Sequence, residues 1–178
     1  MTRYVAFLRA INVGGHVVKM DRLRKIFDTL GVSNVATFIA SGNVLFESGQ
    51  SPDVLEAAIE KTLRRELGYD VATMVRRLEE VEAVVSHVKK QGIMPGEGVM
   101  LYIGFLKSAP TASAAKAVAA LSNHVDVLAV HRRELYWHCR KSFSESTVTG
   151  GKLERLLAVP ATVRNFTTVQ KLAARAHP

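Results

Sequence analysis

The sequence is short of several things, and each shortage narrows the reading. Its 178 residues include one cysteine, Cys139, so no internal disulfide can form and nothing points to an oxidising compartment. No apolar run approaches the ~20 residues needed to span a bilayer. The apolar start, Tyr4 to Leu8, sits between Arg3 and Arg9 and is too short for a secretion-signal core. The six histidines show no tight metal-ligand spacing. A cytoplasmic protein is expected, with no membrane span, no metal and no cofactor.

Acidic side chains are also scarce, 16 against 24 lysines and arginines, for a net charge of +8. Residues 1–90 hold 13 basic and 11 acidic side chains, whereas residues 91–178 hold 11 and 5. Summed positive potential raises the local concentration of anions, so an anionic partner would favour the second half. A solvated basic surface that serves only solubility accounts for the same numbers. Hydrophobic content of 48% and charged content of 22% are those of a globular chain long enough for a substantial core.

What is present is a pattern. Tyr4 to Leu8 is apolar without alternation, as in a strand covered on both faces. Leu23, Ile26, Phe27 and Leu30 make a helical stripe that Gly31 ends. Asn34 to Ala40 and Asn43 to Glu47 read as strands of a hairpin about Ser41-Gly42. Ser51-Pro52 opens a helix with Leu55, Ile59, Leu63 and Leu67 on one face and Gly68 at its end. Val71 to Arg76 is a further strand, and a third helix carries Leu78, Val81, Val84, Val85 and Val88. Gln91 to Gly98 reads as a linker.

The pattern then restarts. Val99 to Leu106 is a strand, Thr111 to Ser122 a helix, and Val125 to His131 pairs with Glu134 to Cys139 about Arg132-Arg133. Gly151 to Ala158 is a helix, and Thr162 to Ala176 gives an extended piece and a last helix, with Thr167 and Gln170 at capping-box spacing. The fold class predicted is α+β, two tandem ferredoxin-like (βαββαβ) subdomains with antiparallel sheets and helices on one face, the second copy less complete. The boundaries are 1–90 and 91–178, and identity between the halves is negligible, so the repeat is one of pattern.

In such a plait the loop after the first strand and the turn between the second and third emerge on one rim. That rim gathers Arg9, Asn12, Gly14 and Gly15 with Ser41, Gly42 and Asn43, and the start of the first helix with its unpaired N–H groups. Those residue types suit a phosphate or carboxylate. They suit equally well a loop whose asparagines bond its own backbone and whose glycines permit positive φ. The corresponding rim of the second half carries Lys107, Arg132 and Arg133.

Other motifs carry less. Thr149-Gly150-Gly151-Lys152 lacks both the earlier glycine and the following Ser/Thr of a phosphate loop and reads as a helix start. Ser41 lies outside any nucleophile elbow. Cys139 alternates inward with Leu135 and Trp137, as a buried structural thiol would. Tyr136 and His138 lie near basic residues, a weak pattern for base stacking, but the signatures of RNA-binding plaits are missing.

Leu8-Arg9-Ala10-Ile11-Asn12-Val13-Gly14-Gly15, then Ser41-Gly42-Asn43, then Thr162-Val163-Arg164-Asn165 with Thr168, Val169 and Lys171 occur in this order. Together they resemble a bacterial family catalogued as domain of unknown function sixteen ninety-seven. That family pattern has Gly at the position of Ala10, Gln at that of Ala40 and Trp at that of Phe166. The resemblance implies a compact α+β protein with duplicated subdomains and carries no established activity. It picks out Arg9, Asn12, Gly14, Gly15, Ser41, Asn43, Arg164, Asn165, Thr168 and Lys171.

The reading that follows is a small anionic ligand held in a cleft between subdomains by Arg9, Asn12, Gly14, Gly15, Ser41, Gly42, Asn43, Arg164, Asn165, Thr168 and Lys171. No residue carries an assignable acid, base or nucleophile role, so whether the protein is an enzyme stays open. The alternatives are a nucleic-acid-binding protein using the basic second half and a protein-interaction module.

Overall fold

The computed structural model describes residues 1–38, 42–140 and 145–176. The chain divides into two compact units, residues 1–81 with those from 175 onward, and residues 82–174. The first contains β1 (Thr2–Leu8), α1 (Met20–Asp28), β2 (Ser33–Phe38), β3 (Asn43–Ser48), α2 (Pro52–Leu67) and β4 (Thr73–Arg77). α3 (Leu78–Lys90) follows β4 directly. The division falls inside α3 rather than after it, because His87 near the end of that helix packs its ring on His131 and Tyr136. The second unit continues with β5 (Met100–Leu106), α4 (Ala112–Ala119), β6 (Asp126–His131), β7 (Glu134–Cys139), α5 (Gly150–Leu157), β8 (Ala161–Asn165) and α6 (Phe166–Ala173).

Both sheets are antiparallel with the same strand order, β2-β3-β1-β4 and β6-β7-β5-β8. The tandem plait is therefore as expected, and the second copy lacks none of its six elements. What is reduced is helix length: α4 and α5 have eight residues each, where α1 has nine and α2 sixteen.

Alternation decides which side chains make each core. Tyr4, Ala6 and Leu8 of β1 join Val44 and Phe46 of β3 under Leu23, Ile26 and Phe27 of α1 and Leu55, Ile59 and Leu63 of α2. The opposite face of the same sheet is buried too, with Val5, Phe7, Met74 and Arg76 all at 1% exposure or less. In the second unit Leu135, Trp137 and Cys139 of β7 face Val118, Leu153 and Leu157, so Cys139 is a buried core thiol. The Trp137 indole donates to the buried Asp126 carboxylate at 2.7 Å, and Ser146 Oγ donates to its other oxygen at 2.8 Å.

Carboxylates take up outward amides on the edge strands β4 and β8. Glu56 and Glu60 of α2 accept the outward N–H groups of Val75 and Thr73 on β4, each at 2.8 Å. On β8, Ala161 N donates to Glu154 of α5 at 3.2 Å. On β4 the outward donors of Thr73 and Val75 are thereby satisfied inside their own unit.

The ladders on either side of the central strands match residue for residue, whereas β2–β3 has a register shift between Ser33 and Ala36 that β6–β7 lacks. Val5 pairs with Arg76 as Ile103 pairs with Arg164, and Phe7 pairs with Asn43 as Phe105 pairs with Glu134. In this alignment Tyr4, Phe7 and Leu8 fall on Tyr102, Phe105 and Leu106, and Val75-Arg76 falls on Val163-Arg164. The expectation of negligible identity thus fails on the central and fourth strands. Two further bonds repeat: Leu8 N to Gly42 O (2.8 Å) matches Leu106 N to Arg133 O (2.9 Å), and Arg9 N to Ala72 O matches Lys107 N to Pro160 O, both 2.9 Å.

Candidate functional site

The rim of the first unit is assembled by the chain leaving β1. The Leu8 and Arg9 amides stitch it to Gly42 and to the approach of β4, so the first two sequence motifs meet as the topology requires. Gly42 adopts φ +76°, and a Cβ there would lie 2.8 Å from Ile11 Cγ2 and 3.3 Å from the Leu8 carbonyl oxygen. No other residue fits both that conformation and that approach. Asn43 is fully buried, and its Nδ2 donates to Phe38 O at 3.0 Å, tying the end of β2 to the start of β3. Ser41 lies outside the described residues.

After Arg9 the backbone reverses at Ala10, whose φ of +53° is a left-handed conformation costly for any residue with a Cβ. Ile11 turns inward, and its carbonyl accepts from Tyr69 Oη at 3.1 Å. Asn12 Oδ1 accepts from Val18 N at 2.7 Å, closing the loop on itself. His16 stacks on the Tyr69 ring at 3.9 Å. Gly14 and Gly15 both have positive φ and open space around them, and Val13 and Val17 project to solvent.

The loop ends at Lys19, the N-cap of α1, whose side chain accepts no hydrogen bond from the helix. The first-turn N–H groups of α1 are therefore not closed by a cap side chain, as is also true of α2, whereas Thr111, Thr149 and Asn165 cap α4, α5 and α6. Asp21 lies in that first turn and shares its positive end. Arg9 is exposed on the same loop.

The remaining sequence-selected residues belong to the second unit. Arg164 on β8 is 8% exposed, and its Nη1 donates to Thr162 Oγ1 at 2.7 Å and to Val163 O at 3.0 Å. Burial depresses the guanidinium to about 10. Its counterpart Arg76 likewise donates to the preceding carbonyl, Val75 O, at 3.1 Å, and is 1% exposed. Asn165 rather than Thr167 is the N-cap of α6, its Oδ1 accepting from Thr167 N at 2.9 Å. Thr168 is half-buried and Lys171 exposed on that helix.

Sequence reasoning missed His16, Tyr69 and Arg76. No local signal links Tyr69 to Ile11 across 58 residues. Arg76 was legible, since Val-Arg precedes a helix in both halves. Among the described residues no group of three His, Cys, Asp or Glu side chains is placed to hold a metal, and no helix is long and apolar enough to cross a membrane. His138 faces Val127 and His131 faces Glu134 across the β6–β7 turn, as a two-residue turn at Arg132-Arg133 requires.

Two ferredoxin-like plaits in tandem, the first bearing a pinned glycine loop at the start of a helix, define a duplicated α+β protein. The chain belongs to the family described as Protein of unknown function (DUF1697), whose model matches residues 1–136 and so ends before the Thr162 to Lys171 motif. A solved structure, that of the conserved bacterial protein SP0830 from Streptococcus pneumoniae, is similar to it. The TM-score is 0.73, with 25% identity and 99% of each chain covered. No curated protein matches.

Proposed function

We propose that this chain is a binding protein for a small phosphate- or carboxylate-bearing molecule, held on the rim of its first unit by the Arg9–Lys19 loop and the start of α1. The observation that carries the reading is the loop that leads into α1, which Asn12, Tyr69 and His16 fix and which ends at a helix start with no cap side chain bonded to it, a lack that α2 shares. Unclosed N–H groups and the helix dipole favour an anion. Lys19 at the N-cap, and Arg9 at the start of the same loop, add positive charge to this rim.

Asn12, Gly42 and Asn43 serve this site by shaping it. Arg164, Asn165, Thr168 and Lys171 belong to the second unit, where Asn165 is engaged as a cap and Arg164 is buried. A cytoplasmic location accompanies this reading, because the lone buried thiol Cys139 has no use for an oxidising compartment.

The test is a thermal-shift screen with inorganic phosphate and a panel of phosphorylated and carboxylated metabolites. A ligand at about 100 times its dissociation constant stabilises the fold by roughly 2.7 kcal/mol, which for this length is about 5–11 °C. The Arg9→Gln, Lys19→Gln variant is expected to lose the shift, and Asp21→Asn to enlarge it. Shifts that persist undiminished in the double variant refute the site.

A further inference from the structure

The second unit contains a cluster of histidines that the proposed site does not use. His87 on α3 stacks on the His131 ring at the end of β6, with centroids 4.4 Å apart and planes 13° from parallel. The same ring tilts against Tyr136 of β7 at 4.8 Å. His131 is paired across the hairpin with Glu134, which is buried. Two residues beyond Tyr136, on the same face of β7, His138 is hydrogen-bonded with the Met94 backbone, in the segment after α3. Its Nε2 is buried without a hydrogen-bond partner. Two ties between residues 87–94 and the β6–β7 hairpin are thus made by imidazoles.

We propose that these histidines form a proton-operated catch, in which neutral imidazoles hold the end of α3 and the following segment on the hairpin and protonation releases them. A neutral His87 ring is compatible with close stacking on its neighbours, and a proton on His87 places a cation in that half-buried stack. A proton placed on His138 Nε2 creates a buried donor with nothing to receive it.

The charged groups around the catch weigh toward release. His87 sees His131 and Lys90, both of which disfavour its cation, against Glu134, which favours it. His138 sees Arg140, which disfavours its cation, while its bond with the Met94 backbone favours it. Burial is the largest influence on both and lowers both below the ordinary 6.5. Tyr136, facing Glu134 and Arg132, is pushed upward from 10, chiefly by burial, and stays neutral throughout. The closed form therefore binds fewer protons than the open one. Its advantage is complete above pH 6.5 and is lost as pH falls through the depressed values.

Hydrogen exchange of the full chain, read by mass spectrometry at about pH 7.5 and about pH 5.5 and corrected for intrinsic rates, tests this. Protection across residues 88–94 is expected to fall at the lower pH, by about tenfold for each unit by which a histidine is depressed, while β1 and β3 keep theirs. The His87→Phe, His138→Gln variant is expected to abolish the pH dependence. Equal protection at both pH values, or an undiminished fall in that variant, overturns the catch. Should the variant not fold, imidazole NMR titration of the wild-type chain decides: midpoints for His87 and His138 below the ordinary 6.5 support the proposal, and midpoints at or above it overturn it.

Discussion

Replacing Gly42 with alanine tests the stitching of the first rim directly. The residue holds φ +76°, and a left-handed conformation costs a non-glycine residue roughly 1–2 kcal/mol. The new Cβ would meet Ile11 Cγ2 at 2.8 Å and the Leu8 carbonyl oxygen at 3.3 Å. Ile11 is 2% exposed and Leu8 fully buried, so neither neighbour can swing into solvent. Overpacking of this kind costs about 1–3 kcal/mol. Reduced freedom of the unfolded chain returns about 0.4–1 kcal/mol. The net expectation is a loss of about 3 kcal/mol, or about 6–12 °C in Tm. Gly15→Ala is the control: φ is +85° there, but nothing lies within 4 Å of the added atom. It carries only the conformational cost, about 1 kcal/mol net. Urea unfolding followed by far-UV circular dichroism separates the two. If Gly42→Ala is no less stable than Gly15→Ala, the close approach at the turn does not constrain the fold.

Three further outcomes are expected. Ala10→Gly relieves a φ of +53° and raises stability by up to about 1 kcal/mol, seen as a higher urea midpoint; a lower midpoint contradicts the strain. Glu56→Ala leaves the buried Val75 amide without its carboxylate acceptor and costs about 2–3 kcal/mol, whereas Glu56→Gln, which keeps an amide oxygen, retains most of that stability in the same assay. Asn165→Ala removes the cap of α6 and costs about 1 kcal/mol, while Thr167→Ala stays within about 0.5 kcal/mol of the parent; the reverse order in thermal melts reassigns the cap.

Most of the fold was legible because its elements announce themselves locally. Leu23, Ile26 and Phe27 repeat at helical spacing and are buried together, and Gly68 ends α2 with φ +83°. The caps of α6 were not, since Asn165 and Thr167 are both competent and two residues apart, and only backbone geometry selects between them. The internal match of Tyr4, Phe7 and Leu8 to Tyr102, Phe105 and Leu106 was hidden by unequal spacing, because α2 is twice the length of α5. At the site, topology brought Gly42 to β1, but the chemistry of Asn12 and Asn43 required coordinates. Both bond backbone, one of the two roles their side chains permit in a loop.

The matched ladders also create a folding problem. Two sheets in one chain with identical strand order, and the same register around their central strands, offer β5 a false partner in β3, and β1 one in β7. The strands differ most where such a mistake would be felt. Arg3 opposes Glu47 across β1 and β3, with an ion pair at 3.8 Å, while the equivalent positions in the second unit are Leu101 and His138. A β5–β3 pairing would set Leu101 against the Glu47 carboxylate, and a β1–β7 pairing would set Arg3 against an imidazole. Such a half-exposed ion pair adds little stability. Its consequence is kinetic, discriminating the correct partner from its duplicate during folding, so that the divergence of the two copies itself guards against misassembly.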